Sequence, residues 1–325
     1  MWFGADGHAF EPANSSQLVG FADLVSYHAV NTAIGCLCTA INTVLLAVFL
    51  STPRFRNRYV LLIQLCIGDL ISSLAAVMGG MNRIDLYSSA LQTHTLPVRT
   101  SAECATEVWL IFKLVGDLLI PISIFWMGVE RLTAIKYPLL YRTKFDGSSV
   151  KYIVIPLLSS LFVLLPLIWA LLLVDNDKTM YFCGRKAAFG ESFGTFIYIS
   201  NIVCNVISTF FNAAAFCIAL RHSVTTARTH RQVHIIRYYL IISILSTLLV
   251  SLPNAISLSQ LYIHRVKDSV SKPSHWIQTI NSGIHFFVYL CLNKDFRSRT
   301  KELLHSGKKK SKELGEVESP LNIRS

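Results

Sequence analysis

The sequence predicts an all-α membrane protein, a bundle of seven transmembrane helices with an extracellular amino terminus and a short amphipathic helix after the seventh span. Three observations predict it. Of the 325 residues, 52% are hydrophobic and only 15% are charged, where a soluble globular protein carries roughly a quarter charged. The apolar residues gather into seven runs, each near the ~20 residues that a helix needs to cross a hydrocarbon core about 30 Å thick. Lys and Arg collect in alternate segments between those runs.

The elements follow in chain order. Residues 1–24 hold neither Lys nor Arg and form an extracellular segment. They lack a basic start followed by an apolar run, so the first span is expected to serve as an uncleaved signal. Asn14-Ser15-Ser16 is an N-glycosylation sequon, which has meaning only on the lumenal side. The spans run over 25–50, 59–80, 107–130, 152–174, 193–220, 235–260 and 276–292, so the bundle occupies 25–292. The last is the shortest, and the sixth contains Pro253. Residues 293–304 place Phe296, Leu303 and Leu304 on one helical face, with Arg297, Arg299 and Lys301 elsewhere. That spacing suits a helix lying along the membrane surface. The tail 305–325 has no periodicity and is expected to be disordered.

Cation placement sets the orientation, because Lys and Arg flanking spans stay on the cytoplasmic side. With the amino terminus outside, the inner segments 51–58, 131–151, 221–237 and 293–325 hold 3, 5, 4 and 9 of them. The outer segments hold eight: Arg83, Arg99, Lys178, Arg185, Lys186, Arg265, Lys267 and Lys272. The net charge of +11 is thereby explained by membrane topology, with no nucleic-acid partner. The basic run 307–312 offers an attraction to anionic membrane lipid of about 1 kcal/mol per charge.

Six of the eight cysteines, Cys36, Cys38, Cys66, Cys204, Cys217 and Cys291, fall within spans and are expected to be small packing residues. Cys104 and Cys183 fall outside, both on the oxidising side, and are expected to form a disulfide tying the loop after span four to the top of span three. No Cys-x-x-Cys motif and no His cluster with zinc spacing suggests a metal site.

Ionisable groups at membrane depth are costly, so each is a functional candidate. Asp69 lies near the middle of span two, Lys113 and Asp117 in the outer half of span three, and Glu130 with Arg131 at its inner end. Asn281 and His285 lie in span seven. Lys113 and Asp117 are spaced i, i+4 and share a helix face, so they are expected to pair with each other in the empty protein.

These features resemble the rhodopsin-like G-protein-coupled receptors. "ERLTAIKYPLLYR" ends the third span as that family's Asp/Glu-Arg-Tyr motif does, with Glu130, Arg131, Ile135, Pro138, Leu139 and Tyr141 matching and Leu132 in place of the tyrosine. Asn42 stands for the first-helix asparagine, and "QLCIGDL" supplies Asp69. "NSGIHFFVY" matches at Asn281, Ser282 and Tyr289, with His285-Phe286 where the family has Asn-Pro. The sixth-helix Cys-Trp-x-Pro reads Val250-Ser251-Leu252-Pro253, so a tryptophan switch has no counterpart. His285 is expected to reach toward Asp69. Such eroded motifs, with a short third inner loop, resemble the divergent serpentine chemoreceptors of nematodes.

The resemblance implies a receptor that binds an extracellular small-molecule or peptide ligand and activates a heterotrimeric G protein. Glu130, Arg131, Ile135, Pro138 and Tyr141 would serve coupling, with Glu130 neutralising Arg131 at rest. Asn42, Asp69, Asn281, Ser282, His285 and Tyr289 would form the polar network of the bundle, and Lys113 with Asp117 the ligand site. Amine receptors of the family carry an aspartate where Lys113 stands, so an anionic group or a peptide is expected instead of an amine. A chemosensory small molecule is preferred, and a neuropeptide receptor is the alternative.

Other classes fare worse. The seventh span has no lysine for a retinal Schiff base. No repeat of broken helices suggests a transporter, which with a channel forms the alternative from another class. No carboxylate or histidine pair recurs at helical spacing within the spans, so neither enzyme nor cofactor is expected.

Overall fold

The computed structural model describes all residues except 1, 4–8, 146–149, 173, 175–176, 180, 224–226, 263–267 and 304–325. The tail 305–325, its basic run and Leu304 therefore lie outside the described residues. Seven long helices form the bundle. We number them α1 (Ser15–Leu50), α2 (Val60–Thr93), α3 (Val108–Lys136), α4 (Ile155–Leu172), α5 (Arg185–Ser223), α6 (Ala227–Ser246 continued by Leu252–Tyr262) and α7 (Asp268–Leu292). An eighth, α8, covers residues 294–303.

Several helices outrun their apolar spans. α1 begins at Ser15 and α2 continues to Thr93, where His94 in the left-handed conformation ends it. Hydropathy marks only the part of a helix that lipid must accept, so it stops short of these polar ends. Two cations move with the correction. Arg83 and Arg185, assigned above to outer segments, are helical residues of α2 and α5.

By length and composition, α1 to α6 each suffice to cross a membrane. α7 does not meet that measure because one face is polar: Asn281, Ser282 and His285 are buried against the other helices. The outer surface explains why the fold needs lipid. On α4, Leu157, Leu161, Leu164, Leu165, Ile168 and Leu172 are exposed, a continuous apolar face that would drive association in water.

α3 runs through the middle, packed on α2, α4, α5 and α6, while α1 and α7 close the ring beside α2. Apolar burial contributes little between helices in lipid, so close approach and polar bonds hold the bundle. Gly116 permits the first: a Cβ there would meet the Ser72 backbone at 3.0 Å. The second comes largely from a buried stripe on α5, Asn201, Asn205, Ser208 and Asn212. Asn201 Nδ2 donates to the Asp117 carbonyl of α3 (3.0 Å) and Ser208 Oγ to that of Ile124 (2.6 Å). Gln64 of α2 donates to Ser123 Oγ of α3 (3.0 Å).

Two irregularities have local causes. Pro253 has no N–H to donate and its ring crowds the preceding turn, and α6 accommodates it with a π-helical turn at Thr247–Ser251. Gly190 interrupts α5 with φ +80°, a conformation that glycine alone adopts at no steric cost.

The cysteines divide unevenly. Cys104 and Cys183 form the disulfide. Cys104 sits on a separate short helix, Ser101–Ala105, ahead of α3, which accommodates its 27-residue separation from Arg131. Of the six others, Cys38 and Cys66 are buried, but Cys36, Cys217 and Cys291 are exposed on the outside of the bundle, so the expectation that all six are packing residues is corrected.

Candidate functional site

Two charged centres occupy opposite ends of α3. At the end near the amino terminus, a cavity of about 730 Å³ opens between α1, α2, α3, α5 and α7. The segment after α4 helps to cover it. Lys178–Thr179 pairs antiparallel with Arg99–Thr100, the disulfide fixes Cys183, and Phe182 and Thr179 line the cavity.

Lys113 lines this cavity and Asp117 lies beneath it, 3% exposed. Lys113 Nζ is 3.2 Å from Asp117 Oδ1, but the pair is not a pair alone. Arg185 Nη1 donates to Asp117 Oδ2 at 2.6 Å, and its guanidinium lies over the Tyr198 ring. Asp117 is thus clamped between two cations, and the shorter contact comes from the residue that sequence reasoning placed in a loop. The side chain of Lys113 is 25% exposed and that of Arg185 12%, so Lys113 is the cation with more access to the cavity. Arg83 is a further cation of the wall. Its Nη2 donates to the Cys183 carbonyl, and its guanidinium sits 5.6 Å from the Trp109 ring centre and 5.0 Å from that of Phe182.

At the other end, Glu130 is 3% exposed and makes three contacts. Arg131 Nη2 lies 3.1 Å from its Oε2, Lys151 Nζ 2.9 Å from its Oε1, and the Tyr141 hydroxyl donates to Oε1 at 3.0 Å. Arg131 Nη2 also donates to the Tyr239 hydroxyl of α6 (2.9 Å), with the guanidinium stacked 4.1 Å from that ring. Leu132, which stands where the resembled family has tyrosine, instead joins Ile135 in a small apolar cluster with Ala215, Ala219 and Ile236. A tyrosine from α6 therefore takes the arginine. Pro138 opens the short helix Pro138–Leu140, which carries Tyr141 round to Glu130.

Between the ends, Asp69 and His285 meet. Nδ1 of His285 is 2.7 Å from Asp69 Oδ2, and Nε2 is 3.1 Å from Ser246 Oγ of α6. Asn281 joins through Ser246 (3.5 Å). The other residues expected in this network lie apart from it. The Asn42 side chain has no hydrogen-bond partner among the described residues, and Ser282 Oγ donates within its own helix to Thr279. Tyr289 packs its ring against Phe49 and Phe296. Phe296, fully buried, anchors α8 to the bundle, and Arg299 Nε donates to Ser51 Oγ (2.9 Å).

Sequence reasoning missed Lys151, Tyr239, Arg185 and Ser246 because each meets its partner across helices. Arg185 carried one signal: it follows Cys183 by two residues, so the disulfide holds it over α3. Asn14 is exposed immediately before α1.

A family model, that of the serpentine type 7TM GPCR chemoreceptor Srsx, matches residues 35–304. That range begins within α1 and runs through α7. No curated protein matches the chain.

Proposed function

The chain belongs to the Srsx family of serpentine 7TM GPCR chemoreceptors, and from that premise we propose that it takes a small extracellular ligand into the cavity and passes the signal to a heterotrimeric G protein through Arg131. It is a multi-pass membrane receptor of that family. In this reading the amino terminus is outside and carries glycan at Asn14, α8 lies along the inner membrane surface, and the tail is cytoplasmic. The cation bias supports that orientation, and the removal of Arg83 and Arg185 from the outer loops sharpens it.

One observation carries the coupling half. Arg131 is held by Glu130 of its own helix and by Tyr239 of α6, so the guanidinium cannot reach a partner until α6 gives up its contact. Outward movement of α6 would break the Tyr239 contact and present Arg131 at the inner face. The Tyr141 and Lys151 contacts keep Glu130 neutralised while this happens. Ile135 and Pro138 shape the same surface.

The ligand half rests on the cavity. Its volume falls within the ~300–1,000 Å³ of small-molecule sites, and Lys113 with Asp117 stands at its floor. Arg131→Ala tests the proposal. It should reach the cell surface at the native level and abolish nucleotide exchange on reconstituted G proteins, whereas undiminished exchange would defeat the assignment.

A further inference from the structure

We infer that Arg83 is the anion-recognition centre of the cavity and that the ligand is a small organic carboxylic acid with an apolar body. This rests on the reading of the cavity as the ligand site, and it moves the acid-binding role from Lys113 to a residue of α2. The observation behind it is an imbalance of charge. Arg83 is only 9% exposed, yet among the described residues no carboxylate lies within ion-pairing distance of it. Of the acids nearby, Asp117 holds Lys113 and Arg185, Glu107 holds Arg99 at 2.6 Å, and Glu191, an exposed residue of the cavity wall, makes no ion pair with Arg83.

What Arg83 has instead is neutral. Nη2 donates to the Cys183 carbonyl, Tyr87 supplies a phenol, and the rings of Trp109 and Phe182 flank the group. Nη1 has no hydrogen-bond partner among the described residues, and neither does Nε1 of Trp109. A buried guanidinium with no anionic neighbour is costly, and because its own desolvation is already incurred, an arriving anion gains the pairing without that part of the cost. Lys113 and Arg185 offer no such gain, since an incoming acid would have to displace Asp117.

The geometry also selects the kind of anion. The two flanking rings leave the edge of the fork to receive oxygens, and one of its two terminal nitrogens is already committed. A planar monoanionic carboxylate fits an edge of that capacity better than a tetrahedral dianion, which asks for more donors. Nη1 is covered, so an arriving acid gains it only as the fork turns. Around it the wall is apolar and aromatic, with Ala75, Ala76 and Leu110 beside the rings, which accounts for the apolar body.

The test uses the full-length receptor in phosphatidylcholine nanodiscs, with its unfolding temperature as the readout. The probes are octanoate, phenylacetate and indole-3-acetate, each beside its neutral alcohol analogue. At least one acid should stabilise the native receptor at concentrations where its alcohol does not. Arg83→Gln should weaken that acid about ten- to hundredfold, as loss of a charge-assisted bond predicts, while Lys113→Ala should weaken it by less than about threefold. Arg83→Lys keeps the charge without the fork and should retain part of the affinity, so the site can be judged even if the glutamine variant does not fold. Equal binding of acids and alcohols, no binding by any acid, or full affinity in both Arg83 variants would overturn the inference. Phosphatidylserine that abolishes the acid's effect would assign the site to a lipid headgroup and overturn it too. Because unfolding needs no G protein, failure here leaves the Arg131 reading standing, and failure of that reading leaves this one.

Discussion

The two ends of α3 carry the same device in two settings. At each, one buried carboxylate is shared by a cation of α3 and a cation from elsewhere: Asp117 by Lys113 and Arg185, Glu130 by Arg131 and Lys151. The surroundings differ. Lys113 is a quarter exposed and faces a cavity, whereas Lys151 is 5% exposed and the Tyr141 and Tyr239 hydroxyls complete the Glu130 cluster. The upper clamp is reachable by a solute. In the lower one Glu130 and Lys151 are sealed, and Arg131 is 16% exposed. Under the function proposed above, the difference would let one architecture receive a signal at one end and withhold it at the other.

Removing each carboxylate in turn should give the largest effect and the sharpest contrast. Glu130→Gln leaves two cations buried beside each other, and breaking a buried ion pair costs about 3–5 kcal/mol. Asp117→Asn should cost less, because it strands Arg185 alone while the quarter-exposed Lys113 can turn into the cavity. Thermal unfolding of the solubilised receptor measures both, and equal losses would erase the distinction between a sealed and an open clamp.

Within the upper clamp the two cations should be unequal. Arg185→Ala removes a short, buried, charge-assisted bond worth about 1.5–3 kcal/mol. Lys113→Ala removes an i, i+4 pair worth about 0.2–0.5 kcal/mol. A larger loss for Lys113 would mean that the helical pair, and not the contact between α3 and α5, holds Asp117.

A single hydrogen bond is at stake in Tyr239→Phe. It keeps the ring over Arg131 and deletes one hydrogen bond, about 1 kcal/mol. If that bond restrains α6, basal nucleotide exchange should rise about fivefold with surface expression unchanged. Unaltered basal exchange would show that the seal lies in the Glu130 contacts alone.

Much of this was legible in the sequence, and what was not shares a cause. The seven helices announce themselves because lipid demands a long apolar run, and the disulfide because two cysteines fall outside such runs on one side. Glu130, Arg131 and Tyr141 are close in the chain and carry a family pattern. His285 could be aimed at Asp69 because a substitution in that pattern pointed there. Lys151 and Arg185, by contrast, reach their carboxylates from other helices, where no period within one helix can place them. Arg83 was hidden differently: the apolar run ends at residue 80, so hydropathy stopped counting three residues before it. The polar stripe of α5 keeps a helical spacing, at 201, 205, 208 and 212, and was there to be found, but amides in an otherwise apolar run do not lower its mean hydropathy enough to draw notice.

Helix length has a last consequence, concerning depth. α2 has 34 residues, which at 1.5 Å each makes about 50 Å, against a hydrocarbon core of about 30 Å. The surplus falls at the cavity end, because the apolar run begins at the start of α2 and gives out near residue 80. With the bundle oriented as proposed above, Arg83 would stand at the level of the lipid headgroups rather than among the acyl chains. A fatty amphiphile resting in the outer leaflet holds its polar end at that same altitude. Such a molecule would arrive by sliding along the surface, already concentrated and correctly tilted, and the threshold dose would track its partitioning into the membrane as much as its fit to the protein.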